Sequence, residues 1–111
     1  MNNKDFDQLV INEHEASLQM LCMKAKEYAT DTDRLANFKQ VAALRETNTV
    51  DAAMGMVAKQ MAAVAIMAKR PLDHEYPEWC ERLRDIRNYT YLIMAVYTEM
   101  EETVCKEDVN K

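Results

Sequence analysis

The chain is predicted to be all-α, a four-helix bundle-like domain spanning residues 1–111. Three observations predict this. One Gly and two Pro in 111 residues leave few turn-formers for hairpins, which argues against a sheet. Nine Met and abundant Ala favour helix, and Met fills irregular helical cores. Between Tyr76 and Val104, finally, Trp79, Leu83, Ile86, Thr90, Ile93, Tyr97, Met100 and Val104 recur at alternating steps of four and three. That spacing is the seam of a long helix packed against other helices.

Taken in order, the first helix is predicted from about Lys4 to Tyr28. Phe6, Leu9, Val10, His14, Ser17, Leu18, Met20, Leu21, Ala25 and Tyr28 form a broad stripe, with Glu13, Glu15, Lys24 and Glu27 largely away from it. His14 reads either as a partly buried imidazole with a hydrogen-bond partner or as a ligand-binding group. Thr30, Asp31, Thr32 and Asp33 are a dense set of N-cap residues, so a loop there hands over to a short second helix, about Asp33 to Arg45. Its buried members are Leu35, Phe38, Val41, Ala42 and Leu44, while Asn37 is either a surface residue or a buried amide with a defined partner. Asn48 or Thr49 caps a third helix, about Val50 to Lys69, in which almost every position is Ala, Met, Val, Ile or Gly. A helix apolar nearly all round is buried nearly all round, and three other helices can hardly cover it. Its uncovered side is expected to meet another copy of the chain, with Ala52, Gly55, Ala62 and Ala63 permitting close approach and Lys59 snorkelling outward or finding an anion. Pro77 suits the first turn of the last helix, and the polar tail from about residue 106 is expected to fray.

A formal charge of −5 makes double-stranded nucleic acid an improbable partner, because Lys and Arg supply most of that affinity. The local clusters Lys24/Lys26 and Arg82/Arg84/Arg87 remain able to meet a small phosphorylated ligand. Cys22, Cys80 and Cys105 are odd in number and lack metal-ligand spacing, so reduced thiols are expected. The polar first residues do not resemble a signal peptide, and Ala52 to Ala68 reads as too Ala-rich and short for a membrane span. A cytoplasmic protein is expected.

Chemistry has few footholds. A nucleophilic triad and a glycine-rich phosphate loop lack their residues, the lone Gly lying inside the third helix. What remains is a carboxylate pair, Glu81 and Asp85, one turn apart on the last helix and able to share a face toward Mg²⁺. The same residues, with Arg82 and Arg84, also read as a salt-bridged solvated face. Asp85 and Asn88 are poor helix formers in mid-helix, which points to a reason beyond packing.

Four segments in order carry a resemblance: KAKEYA (24–29), DRLANFK (33–39), AKQ (58–60) and ERLRDIRNYTYLI (81–93). Together they resemble the small phage-borne nucleotide-modification-associated family, whose all-α domain is similar to the MazG-like nucleotide pyrophosphohydrolases. The resemblance covers roughly Leu18 to Glu99. It implies that Lys26, Asp33, Arg34, Asn37, Lys59, Asp85 and Asn88 converge on one pocket, in a dimer or higher oligomer. In MazG-like enzymes, acidic residues on two helices hold the Mg²⁺ that activates water against a nucleoside triphosphate. Here the third helix has no carboxylate between Val57 and Arg70, and Glu81 and Asp85 stand four apart rather than three.

The expected function is therefore binding or sequestration of a nucleotide or nucleotide-derived signal in the host cell cytoplasm. Lys26, Arg34 and Lys59 would meet phosphates, Asn37 and Asn88 would read base or ribose, and Tyr28 or Tyr89 would stack. The alternatives are a Mg²⁺-dependent pyrophosphohydrolase using Glu81 and Asp85, and a ligand-free interaction bundle.

Overall fold

The computed structural model describes the backbone of residues 1–28 and 33–109 and the side chains of residues 1–22 and 33–106. Among the described residues every regular element is helical, in the order α1 (Asn3–Tyr28), α2 (Ala36–Leu44), α3 (Thr49–Ala68), a 3₁₀ turn (Pro71–Asp73) and α4 (Tyr76–Val109). The all-α expectation is met.

Local chemistry sets the element ends. Asn2 Oδ1 accepts the Asp5 N–H at 2.8 Å and opens α1. Asp33 does not begin α2 as expected; its carboxylate accepts the Leu35 N–H at 2.9 Å in a turn that precedes the helix. At the far end of α2, Glu46 takes a positive φ of 54°. The Glu46 N–H reaches the Ala43 carbonyl and the Thr47 N–H the Ala42 carbonyl, a Schellman closure on a residue other than glycine. Asn48 then caps α3, accepting the Asp51 N–H at 2.8 Å. The turn into α4 is held by Trp79, whose indole N–H donates to the Pro71 carbonyl at 3.0 Å. Helix α4 continues through Val109, so the first residues of the tail expected to fray are helical.

Leu35, Phe38, Ala53 and Val96 form the buried core, with Val50, Met56, Tyr89, Leu92 and Ile93 packed around it. The core therefore sits where α2 and α3 meet the middle of α4. The face of α4 that does this overlaps the expected seam only in part. Trp79, Ile86, Ile93 and Met100 of that seam are half-buried, Ile93 against the core, and Leu83, Thr90, Tyr97 and Val104 are exposed. By contrast, Asn88 and Val96 are buried and Asp85, Tyr89, Leu92 and Glu99 are half-buried. The packed strip is turned by roughly a quarter of a helical revolution, because α2 and α3 seat against the Asp85/Asn88 side. The polar residues thus lie within the packing strip rather than beside it.

Helix α1 is attached differently. Ser17 is its one fully buried side chain among the described residues, and His14, read above as a candidate for partial burial, is exposed. Glu13, placed away from the packed stripe by sequence, is the anchor. Its carboxylate accepts from Arg84 Nε and Nη2 at 3.2 and 2.9 Å and from Arg87 Nη2 at 2.9 Å. Arg87 also donates to Ser17 Oγ at 3.1 and 3.0 Å. Two of the three arginines in the α4 basic cluster are therefore engaged by α1. Partial burial alone would raise the Glu13 carboxyl, but the hydrogen bonds from Arg84 and Arg87 and their charges outweigh it and hold it below its ordinary range.

The molecule is elongated, 57 × 29 × 25 Å, with a radius of gyration of 17.1 Å against about 13 Å for a compact chain of this length. Its accessible surface of 8541 Å² exceeds the roughly 6,300 Å² of a compact monomer of equal mass. Part of the excess is the outward face of α3, where Met54, Met61 and Ile66 are exposed beside Ala58, Ala62 and Ala65. By length and composition alone α3 is long and apolar enough to cross a membrane, in contrast to the expectation from sequence that the stretch is too Ala-rich and short.

The clasp has a pH signature. A carboxyl whose pKa is depressed on folding contributes stability that is complete above its unfolded value and lost as pH falls through the folded value. Glu13→Gln is expected to lower unfolding free energy by about 2 kcal/mol at neutral pH. The deficit should shrink below the ordinary glutamate range as the wild-type carboxylate protonates. Urea denaturation of both proteins across pH checks this, and a deficit independent of pH would contradict it.

Candidate functional site

A cavity of about 260 Å³ opens between α1, the start of α2 and the buried strip of α4. Helical spacing builds its α4 wall: Asp85, Asn88, Tyr89 and Leu92 fall at i, i+3, i+4 and i+7 and so share one face. The turn that Asp33 organises before α2 brings Arg34 to the cavity, and the first turn of α2 adds Asn37 and Phe38. Leu21 from α1 and Met56 from α3 complete the apolar lining. Five of the residues singled out by sequence (Arg34, Asn37, Asp85, Asn88 and Tyr89) therefore line one cavity.

Their environments differ in ways that assign them different capacities. Asn88 is the deepest, 3% exposed, and neither its Nδ2 nor its Oδ1 has a hydrogen-bond partner. Burying such an amide unpaired costs about 1–3 kcal/mol, so packing alone gives no reason to keep it. Asn37 is exposed, at the rim. Arg34 is half-buried, and its Nη2 lies 3.5 Å from the Leu21 carbonyl, long for a hydrogen bond. Among the described residues its guanidinium forms no ion pair, so most of its donors remain available to an anion. The Phe38 and Tyr89 rings meet edge to face with centroids 6.5 Å apart, giving the cavity an aromatic wall.

The other candidates stand elsewhere. Asp33 lies outside this lining, where Lys39 Nζ donates to it at 2.6 Å. That hydrogen bond, followed by the one from the Leu35 N–H, holds the Asp33 carboxyl below its usual range. Lys39 also pairs with Glu99, tying α2 to α4; its hydrogen bonds with Asp33 and Glu99 raise the ammonium pKa. Asp33 thus shapes the site by setting the turn that carries Arg34. Lys59 and Glu81 are exposed and do not line the cavity. The side chains of Lys26 and Tyr28 lie outside the described residues. The sequence places Leu21 and Phe38 among packed residues and gives no site role to them, to Met56 or to Leu92; for Leu92 the signal is present, one turn beyond Asn88.

For metal, Asp85 is the one carboxylate in the lining among the described residues. Among the described residues no three His, Cys, Asp or Glu side chains come together as a metal-binding group. Mg²⁺ held here would therefore need oxygens from a ligand's phosphates beside Asp85.

No protein family, curated protein or solved structure matches the chain.

The unpaired amide makes a measurable claim about the ligand-free protein. Replacing it by an apolar side chain of similar volume removes two buried unsatisfied groups. Asn88→Leu is expected to raise the unfolding free energy by about 1–2 kcal/mol, seen as a higher Tm in calorimetry. A fall in Tm would mean that the amide already has a stabilising partner.

Proposed function

We propose that the chain binds a nucleotide or a nucleotide-derived signal in the cavity between α1, α2 and α4, and binds it without turning it over. The observation that carries this reading is Asn88, a buried amide with both polar atoms unpaired in a cavity that also holds an arginine and two aromatic rings. A ligand suited to that lining carries an anionic group for Arg34, hydrogen-bonding edges for Asn88 and Asn37, and a planar apolar surface for Phe38 and Tyr89. A nucleotide has all three. Binding is favoured over hydrolysis because a single carboxylate among the described residues lines the cavity, whereas metal-assisted phosphoryl chemistry is best supported by several. Any Mg²⁺ would arrive with the ligand's phosphates and rest on Asp85; Glu81 points to no shared site with it in this lining.

Thermal shift with a panel of mononucleotides, cyclic nucleotides and nucleoside triphosphates tests the reading. At least one is expected to raise Tm, and Arg34→Ala should weaken that ligand by about tenfold or more, the loss of a charge-assisted contact. No shift from any member of the panel would refute it.

The outward face of α3 supports a second part of the proposal, that the chain self-associates. Met54, Ala58, Met61 and Ala65 follow steps of four, three and four along that face, with Ala62 and Lys59 beside them. Of the small residues expected there, Ala62 is exposed, Gly55 and Ala63 are half-buried, and Ala52 is buried inside the protein. The opposite side of α3 is occupied by packing at Ala53 and Val57, which favours a protein partner over lipid all round. A dimer would need about 800 Å² from each copy, well within the surface excess described above. Light scattering is expected to give the mass of an oligomer for the wild type and of a monomer for Ala62→Glu, at unchanged helicity. A monomeric wild type would contradict it.

A further inference from the structure

Asn88 also limits which end of the ligand enters the cavity. An amide presents one donor and one acceptor side by side, so its complement must present an acceptor and a donor side by side. Phosphate oxygens accept only and would leave Oδ1 unpaired. The edges of nucleobases carry the required pair, as an amino group beside a ring nitrogen or a ring N–H beside a carbonyl. A sugar diol can also satisfy an amide, but the flanking Phe38 and Tyr89 rings and the Met56 and Leu92 side chains offer flat apolar contact, which suits a planar ring. Size points the same way. The cavity volume of about 260 Å³ lies just under the roughly 300–1,000 Å³ of sites that enclose a whole drug-sized ligand, which leaves a polyphosphate tail outside.

We infer that the cavity takes a nucleobase edge-first against Asn88, with the first phosphate at Arg34 and the rest of the phosphate chain unread. This rests on the nucleotide-binding reading and goes further, since it names the base as the recognised group. The chain would then distinguish ligands by their base and hardly by their phosphate count.

Isothermal titration calorimetry on the full chain separates the two claims. The probes are the four common nucleosides, their mono- and triphosphates, ribose 5-phosphate, pyrophosphate, and nucleosides methylated on a base-edge nitrogen. The expected result is that one base is preferred and that its mono- and triphosphate bind within about tenfold of each other. Ribose 5-phosphate and pyrophosphate should not compete. Edge methylation should weaken binding by at least about tenfold in the wild type, as for a site built around a hydrogen-bonding group. In Asn88→Leu, whose helicity is checked by circular dichroism, the preferred nucleotide should bind at least about tenfold more weakly and the methylated and unmethylated forms should bind alike. If nucleotides bind but ribose 5-phosphate competes fully, or edge methylation is tolerated by the wild type, base recognition is overturned while nucleotide binding stands. If no probe binds, both claims fall. The ligand-side comparison needs no variant, so misfolding of Asn88→Leu cannot shelter the inference.

Discussion

One strip of α4 holds the fold together, and it contains an asparagine that no described residue satisfies. Val96 and Leu92 on that strip close the core against Leu35, Phe38 and Ala53, while Asn88 occupies the next turn toward the N-terminus. An apolar residue there would extend the same core by one turn. The strip instead opens into a cavity at that level, lined on one side by Asp85 and Asn88 and on the other by Arg34 and Asn37. Apolar packing at one end of the strip provides the rigidity on which a polar site at the other end can be held in place.

The attachment of α1 follows from the same division. The apolar end of α4 is already covered by α2 and α3, so α1 meets the polar end and is fastened by charge. Glu13 between Arg84 and Arg87, with Ser17 beside it, ties α1 to α4. Leu21, one turn beyond Ser17, then forms part of the cavity wall, and its carbonyl lies nearest to Arg34. The clasp therefore bears on the site, since it positions the helix that closes one side of it. Polar fastening is weaker and more dependent on conditions than burial, which makes α1 the element on which pH and salt act most directly.

Much of this was legible in the sequence, and the reasons for the rest are physical. Scarce Gly and Pro and heptad spacing were enough for the helices, and Asn48, Pro77 and the acidic cap residues marked their starts to within a few positions. Of the seven residues grouped by the resemblance, Arg34, Asn37, Asp85 and Asn88 line the cavity, Asp33 and Lys59 do not, and the Lys26 side chain lies outside the described residues. The expected seam of α4 holds at Trp79, Ile86, Ile93 and Met100 and fails at Leu83, Thr90, Tyr97 and Val104, because its apolar residues occupy two adjacent strips. Periodicity reports that both exist but not which one α2 and α3 select. Glu13 was misplaced for a related reason: a carboxylate is assigned to the solvent face unless its two arginine partners, some 70 residues away, are seen beside it. Asp33 shows the opposite error, since a residue grouped with the pocket by motif serves the turn next to it.

The account's central claim is that the buried amide of Asn88 is where a nucleotide is recognised. The most direct measurement is the side-chain amide resonance pair of Asn88 in a nitrogen–proton correlation spectrum, assigned by its absence in Asn88→Leu and followed during titration with the nucleotide that stabilises the protein most. The account predicts that this pair moves saturably with the same dissociation constant as calorimetry reports. A pair that stays in place while the ligand saturates the protein would contradict it.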